Sequence, residues 1–239
     1  LVLTTDHGFL LGEHDWWSKN RMPVYDEIAR IPLMIAHPDY SEQGGTRRKA
    51  LTQSTDIMPM LLDLHDKEIP RDVLGKSLLP LLEDDHAIRD AAIFGYFGAA
   101  CNVTDGRYVY HRYPEKLTAD GLYEYTLMPT RMTTRFSISE LVGATLANPF
   151  DFSKGVPLLK LKPRANEAGE AIEGQGMDFA DTQPRLYDLD NDPGQTTPID
   201  DLEIEARLVA AMTRLMLEAD APPELFERFN LTHERAAHV

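Results

Sequence analysis

Two short, continuous apolar runs near the start of the chain constrain its fold more than any other feature. Residues 1–5 read LVLTT and stop at Asp6-His7-Gly8, and residues 31–37 read IPLMIAH and stop at Pro38-Asp39. Apolar runs without polar alternation are typical of strands covered on both faces, as in a parallel sheet with helices on either side. We therefore predict that the two runs are neighbouring or near-neighbouring strands of one mixed sheet in an α/β fold.

Capping residues and apolar spacing predict two helices. One is expected at 55–64, where Ser54 or Thr55 can cap the first turn. The other is expected at 203–219, because Asp200 followed by Glu203 resembles a capping box. The apolar residues that share one face of this second helix are Ile204, Leu208, Ala211, Met212 and Leu215.

After residue 90 the residue composition of the chain changes. Residues 92–97 and 107–113 are aromatic and rich in β-formers, and Asp105-Gly106 between them is a strong hairpin signal. A further strand is expected at 185–189. The stretch 154–182 is rich in Gly, Pro, Glu and Ala with weak periodicity, and we predict a long loop or insertion there.

The charge of the chain restricts its partners. With 24 basic and 39 acidic residues the formal net charge is −15, which argues against nucleic acid or an anionic membrane as a partner. An anionic ligand would have to be held by a local group of cations. No apolar run approaches the roughly 20 residues that cross a bilayer. The single Cys101 excludes an internal disulfide; compartment and oligomeric state are left open.

Asp6 and His7 are the first candidate site residues. Side chains that follow the carboxyl end of a strand in an open α/β sheet point into the crevice where ligands bind. Successive side chains normally alternate between faces, but a turn at Gly8 can let Asp6 and His7 converge. Carboxylate oxygen and imidazole nitrogen are both metal ligands. By itself, the triplet is more typical of a hydrogen-bonded loop than of a metal site.

The longer stretch 4–38, TTDHGFLLGEHDWWSKNRMPVYDEIARIPLMIAHP, resembles the sulfatase family of the alkaline phosphatase superfamily. The matching elements are Asp-His-Gly, Leu-Gly-Glu-His, an aromatic residue, a lysine, a tyrosine with acidic neighbours, and Arg-x-Pro-Leu. Three later segments match the same family in the same order. They are TDIMPMLLDL with GKSLLPLL (55–64 and 75–82), NVTDGRYVYHRYP (102–114) and LYDLDNDP (186–193).

The resemblance implies roles for four residues. Asp6 and His7 match two ligands of the family's single divalent cation, expected to be Ca²⁺, with Mn²⁺ or Mg²⁺ as alternatives. Lys19 matches the lysine that contacts the sulfate, where a compact charge can offset charge that develops on the oxygens. His14 matches less securely: it either donates to the substrate or leaving group or caps a loop, and both roles stay open.

Other candidates are expected to be structural. Arg47-Arg48-Lys49 could attract an acidic substrate, but a solvated loop is the prediction. Of Trp16 and Trp17, either of which could line a pocket, one is expected to pack against the sheet. His111 falls within a strand pattern and is interpreted as structural.

The nucleophile that the resemblance implies is not in this sequence. A sulfatase needs a formylglycine, made from the first residue of Cys/Ser-x-Pro/Ala-x-Arg. Cys101 begins CNVTD and no serine fits the motif. The family carries this motif, and the acidic pair that completes the metal shell, upstream of a segment such as residues 1–5. We expect the chain to be a carboxyl-terminal portion that packs on an amino-terminal segment and is neither stable nor active alone.

The fold that the resemblance implies is an alkaline-phosphatase-like mixed sheet flanked by helices, followed by a small α+β subdomain with an antiparallel sheet. Residues 1–90 are predicted to complete the catalytic domain, and 91–239 to form the subdomain with its insertion and terminal helices. The implied function is hydrolysis of a sulfate ester or a related anionic small molecule. The alternatives are a phosphonate monoester or phosphodiester hydrolase of the same superfamily, or a non-catalytic truncated homologue. Intact Asp6, His7 and Lys19 argue against the last.

Overall fold

The structure is a computed structural model that describes residues 1–19, 21–131, 133–164 and 180–231. The strands are β1 (Val2–Thr4), β2 (Leu10–Leu11), β3 (Trp17–Ser18), β4 (Leu33–Ile35), β5 (Ala92–Gly95), β6 (Cys101–Thr104), β7 (Tyr108–Arg112), β8 (Glu124–Thr126), β9 (Thr145–Ala147), β10 (Leu158–Leu161) and β11 (Arg185–Asp188). The α-helices are α1 (Asp26–Ala29), α2 (Ile57–Leu64), α3 (Leu79–Glu83), α4 (Ile138–Leu141), α5 (Leu202–Glu218) and α6 (Pro223–Arg228). Short 3₁₀ turns occupy Glu13–Asp15, Pro38–Gln43, Ser54–Asp56 and Asp151–Ser153.

The two apolar runs at the start of the chain pair with each other as β1 and β4. Their neighbourhood is confirmed, but they are antiparallel, with Val2 opposite Ile35. Val2 and Ile35 pack towards α2 and α3, whereas Leu3 and Met34 on the other face are 57% and 60% exposed. Within the described residues the pair is buried on one face only, unlike strands of the parallel sheet with which the apolar runs were compared, because successive side chains alternate between the faces.

The two predicted helices, at 55–64 and 203–219, are confirmed as α2 and α5, but their N-caps are not the predicted residues. Helix α2 follows a 3₁₀ turn whose N-cap is Gln53, and Asp56 accepts a bond from the Gln53 amide at 2.7 Å. Helix α5 is capped by Asp201, whose Oδ1 accepts from the amides of Glu203 and Ile204, both at 3.1 Å. The caps predicted at Ser54 or Thr55 and at Asp200 are wrong, because the 3₁₀ turn before α2 already begins at Ser54 and α5 begins one position before its predicted start.

The second half of the described chain is built on a four-stranded antiparallel sheet in the order β11-β7-β6-β5. The hairpin at Asp105-Gly106 is confirmed, since it joins β6 to β7 and Gly106 has a φ of 96°. Helix α5 packs on this sheet through the fully buried Leu208 and Met212. An antiparallel sheet with one face covered by a helix is the small subdomain that the sequence predicted.

A three-stranded antiparallel sheet, in the order β8-β10-β9, forms a separate layer. Strand β10 lies within the stretch 154–182, so the prediction of a continuous loop there is wrong. Its four residues pair with two partners distant in sequence, a context that weak periodicity does not show. Residues 165–179 of the same stretch lie outside the described part of the chain. The division at residue 90 stays a prediction.

Membrane insertion by a helix has no support among the described residues. None of their helices combines the length and the apolar character that crossing a bilayer requires.

Candidate active site

The Asp6-His7-Gly8 turn is fixed against helix α1 by a close backbone approach. The Gly8 amide donates to the carbonyl of Ile28 at 2.8 Å. A Cβ at position 8 would lie 1.8 Å from the carbonyl oxygen of Glu27. Glycine is therefore required here by space, and the turn that carries Asp6 and His7 is held in place by its backbone.

A β-hairpin brings Lys19 to the same turn. Strands β2 and β3 are antiparallel, with Leu10 opposite Ser18. Lys19, which follows β3, therefore lies near the residues that precede β2, including His7. The connecting turn uses left-handed backbone at Gly12, His14 and Asp15. Glycine, histidine and aspartate are among the residues that tolerate this conformation.

The side chains of Asp6, His7 and Lys19 converge. The Nζ of Lys19 lies 2.7 Å from Nε2 of His7, and Oδ2 of Asp6 lies 3.4 Å from the same nitrogen. Because an ammonium group can only donate, His7 Nε2 accepts from Lys19, and His7 Nδ1 then donates to the Gly8 carbonyl at 2.9 Å. This arrangement fixes the tautomer and points the Nε2 lone pair away from the backbone.

The carboxyl group of Asp6 is kept ionised by its surroundings. Desolvation acts to raise its pKa, but hydrogen bonds from the backbone of Asp6 and His7 and from the Thr5 hydroxyl outweigh it, so the pKa lies below its ordinary value. The His7 amide donates to Asp6 Oδ1 at 3.0 Å. At neutral pH Asp6 therefore presents a negative charge to the His7 imidazole, the group that Lys19 also contacts.

The donor set of Asp6 and His7 fits part of a metal shell. Two ligands about 2.4 Å from one ion and at right angles to each other are about 3.4 Å apart, as these two atoms are. Metal-binding histidines commonly donate their other ring nitrogen to a carbonyl, as His7 does. Within the described residues no cluster of three or more His, Cys, Asp or Glu side chains could hold a metal. The described residues thus bring together two groups that could hold part of a metal shell.

His14 occupies a different environment from the other three candidates. Its ring stacks on that of Tyr25 at 3.5 Å with an interplanar angle of 6°. Its Nε2 is buried without a hydrogen-bond partner, 3.7 Å from Glu27 Oε2, which is also unpartnered. No hydrogen bond or ion pair between described residues joins His14 to Asp6, His7 or Lys19.

The remaining candidates of the sequence are placed by their packing. Trp16 packs beside the buried Leu10, as expected for one of the two tryptophans, whereas Trp17 is 72% exposed. Arg48 donates to the carbonyls of Leu81 and Glu83, at 2.8 and 3.1 Å. The prediction of a solvated loop is therefore wrong for this arginine, which ties its loop to the end of α3.

His111 is structural, as the sequence indicated. It is fully buried within β7, and burial lowers its pKa to about 3. Its ring lies 5.9 Å from that of Tyr25. A neutral imidazole therefore lies beneath the segment that carries the candidate site.

The segment 13–30 carries His14 and Lys19. The sequence did not reveal which residues of the second half of the chain anchor this segment. Asp181 binds Arg21 and Tyr25, and Gln195 accepts from the Asp26 amide at 2.6 Å. Gln195 lies two positions beyond the LYDLDNDP segment, which could have signalled it. Asp181 lies in the stretch predicted as an insertion, where no local pattern marks it.

A cavity of about 840 Å³ opens between strand β5, strand β8 and helix α6. Its walls include Tyr96, Tyr125, Arg131 and Phe136. None of the four candidate site residues lines it, so the cavity and the charged cluster at Lys19 are separate features.

The overall fold resembles those of solved sulfatases. One of these structures holds D-glucosamine-2-N,6-O-disulfate as its substrate; it matches with a TM-score of 0.57 and 18% identity, over 93% of this chain and 35% of that chain. A 2-O GAG sulfatase matches with a TM-score of 0.50 and 18% identity, over 99% and 37%. At these identities the likeness shows the fold alone.

Sequence comparison gives the family. The family described as N-sulphoglucosamine sulphohydrolase, C-terminal, matches residues 12–137, more than half of the chain, and the chain belongs to it.

Curated relatives include two bacterial sulfatases. An N-acetylglucosamine-6-O-sulfatase of Bacteroides thetaiotaomicron is 39% identical over 101 residues, 41% of this chain and 18% of the relative. An ulvan-active sulfatase of Formosa agariphila is 32% identical over 95 residues, 39% of this chain and 19% of the relative. The aligned part of the chain thus spans about a fifth of the length of these relatives.

Proposed function

We propose that the full-length protein hydrolyses a sulfate ester and that this chain supplies Lys19 as the sulfate-binding cation. The observation that carries the proposal is the convergence of Lys19 with His7 and Asp6, from positions 12 residues apart, at the end of the first strand. An ammonium group held in place by a hydrogen bond to an imidazole can bind an anionic group even in a chain of net negative charge. The relatives described as sulfatases support this reaction class.

Each candidate site residue would have its own role in the proposed hydrolysis. Lys19 binds a sulfate oxygen and stabilises the charge that develops on it as the S–O bond breaks. Asp6 and His7 would hold a divalent cation, with calcium the first expectation and manganese or magnesium the alternatives. When bound, that cation supplies further charge to the sulfate oxygens. The stack on Tyr25 and the burial of His14 favour its loop-holding role over proton donation.

The expected substrate is a small sulfated sugar. Two of the related proteins are described as acting on, or bound to, sulfated glucosamines. The nucleophile is expected to be a formylglycine outside this sequence, so residues Leu1–Val239 alone should show no turnover.

A second candidate is hydrolysis of phosphonate monoesters or phosphodiesters. A relative described as the multifunctional alkaline phosphatase superfamily protein PehA, of Trinickia caryophylli, is 34% identical over 84 residues, 35% of this chain and 16% of the relative. Sulfate and phosphoryl groups are similar in shape, and a lysine point charge can bind either. The geometry of Lys19 therefore does not separate the two reactions.

The test is turnover by the full-length protein on an aryl sulfate, glucosamine 6-sulfate and phenyl phosphonate. We expect kcat/KM to be highest for a sulfate ester and to fall by about 100- to 1,000-fold in Lys19→Ala, because the sulfate loses its fixed cation. Lys67→Ala, at an exposed lysine between α2 and α3, is the matched control. Faster hydrolysis of the phosphonate would favour the second candidate, and no turnover on any of the three would reject both.

A further inference from the structure

A single carboxylate from the second half of the chain fastens the segment that carries Lys19 and His14. Asp181 Oδ1 accepts from Arg21 Nη1 at 3.1 Å, and Oδ2 lies 2.9 Å from Arg21 Nη2. The Tyr25 hydroxyl donates to Oδ2 at 2.6 Å, across 156 positions of sequence. Asp181 thus binds two residues of the segment at once, and binds the arginine through both oxygens.

The interaction lies largely out of solvent. The side chain of Arg21 is 9% exposed and that of Asp181 is 21% exposed. Burial acts to raise the pKa of Asp181, but the hydrogen bonds from Tyr25 and Arg21 outweigh it, and the pKa lies below its ordinary value. Since a buried guanidinium group that loses its counter-charge is strongly unfavourable, loss of the Asp181 carboxylate should loosen the segment.

Both residues that Asp181 holds connect directly to the candidate site. Arg21 lies two positions after Lys19, in the connection between β3 and α1. Tyr25 presents its ring face to the imidazole of His14, at 3.5 Å. Fixing the Tyr25 hydroxyl therefore fixes the plane on which His14 rests, and fixing Arg21 restricts the loop that places Lys19.

A second contact from the same part of the chain completes the attachment. The buried Gln195 accepts from the backbone amide of Asp26, the first residue of α1. Asp181 and Gln195 lie on either side of β11, so the strand carries two contacts to one segment. Asp181 differs from Gln195 because it binds the side chains of Arg21 and Tyr25, whereas Gln195 binds a backbone amide.

We propose that Asp181 is a positioning residue of the active site, which holds Lys19 and His14 in place from the far half of the chain. The proposal rests on the proposed function, because it assigns Asp181 a role in that same site. A displacement of about 1 Å at a group that binds the reacting atoms can lower the rate by about 100-fold. Loss of the Asp181 charge should therefore lower turnover without removing any group that contacts the substrate.

The experiment compares Asp181→Asn with Asp188→Asn in the full-length protein. Asp188 is the control because it belongs to the same strand region and binds one arginine, Arg107, at 3.1 and 2.8 Å, and its side chain is 10% exposed against 21% for Asp181. At a temperature at which every variant is folded, Asp181→Asn should lower kcat/KM by about 30- to 100-fold. Asp188→Asn should stay within about threefold of the wild type, and Asp181→Glu should recover part of the loss.

Hydrogen–deuterium exchange provides a readout that does not depend on activity. The backbone amides of residues 21–29 should exchange faster in Asp181→Asn than in the wild type. In Asp188→Asn their exchange rates should equal those of the wild type. Unchanged exchange there, or kcat/KM in Asp181→Asn within about threefold of the wild type, would overturn the proposal. If the wild type hydrolyses no sulfate ester, the proposed function fails, while the exchange contrast still decides whether Asp181 holds the segment.

Discussion

The ammonium of Lys19 lies 2.7 Å from Nε2 of His7, which is also the nitrogen that a metal ion would use. One lone pair cannot serve both partners, so a bound cation must move Lys19 off His7 and towards an anionic ligand. This competition links metal binding to the position of the sulfate-binding group in the proposed site.

The first prediction follows from that competition. In the full-length protein, Lys19→Met should bind a divalent cation about tenfold more tightly, because it removes a competing donor and a repelling charge about 4 Å away. Titration calorimetry with Ca²⁺ measures the effect, and Lys67→Met is the control at an exposed lysine. Weaker binding in Lys19→Met would show that the lysine does not compete for His7.

The second prediction concerns the backbone that carries Asp6 and His7. Gly8→Ala should destabilise the protein by about 3 kcal/mol, because the new Cβ would lie 1.8 Å from the Glu27 carbonyl oxygen. Gly194→Ala is the control, since its Cβ would meet only a methyl group at 3.8 Å. Thermal unfolding of both variants decides, and equal midpoints would contradict the argument.

The third prediction explains the aspartate of the TDIMP segment as structural. Asp56 is fully buried, pairs with Arg89 through both oxygens and accepts from the Lys76 amide at 2.8 Å. Asp56→Asn leaves a buried guanidinium without its counter-charge and should lower the free energy of unfolding by about 3–5 kcal/mol.

The control for Asp56 is an exposed ion pair. Asp90 is 78% exposed and binds Arg214 at 2.8 Å, so Asp90→Asn should change the free energy of unfolding by less than about 1 kcal/mol. Urea unfolding of the two variants measures the difference. Similar losses in both would mean that burial of the Asp56 pair contributes nothing.

The fourth prediction concerns acid stability. His111 has a pKa of about 3 in the folded protein because it is buried, against 6.5 as its ordinary value. Between these values the unfolded chain binds a proton that the folded chain does not, so stability falls as pH falls from 6.5 towards 3. His111 should account for a loss of about 2 kcal/mol between pH 7 and pH 5.

The variant His111→Gln isolates this contribution. It cannot take up the proton in either state, so its free energy of unfolding should fall less steeply with acid than that of the wild type. Urea unfolding at pH 7 and pH 5 gives the two slopes. Equal slopes for the two proteins would show that His111 takes up its proton as readily in the folded protein as in the unfolded chain.

Local features were predictable because neighbouring residues decide them. The strand that ends at Thr4, the hairpin at Asp105-Gly106 and helix α5 were all predicted from their own sequence. The family resemblance, which the comparisons confirm, also came from ordered local motifs. Capping positions were less accurate, because Asp200 and Asp201 differ only in backbone conformation and Gln53 is not among the residue types that usually cap a helix.

The sequence alone determined the types of group at the site, with Asp6, His7 and Lys19 named from their spacing and their resemblance to the family. Only the tertiary structure decided that these three converge while His14 is buried on Tyr25. It also brought in Asp181, because a contact that closes 156 positions of chain depends on how the β-sheet and segment 13–30 pack. Such packing is set by the burial of many side chains at once, and no short stretch of sequence records it.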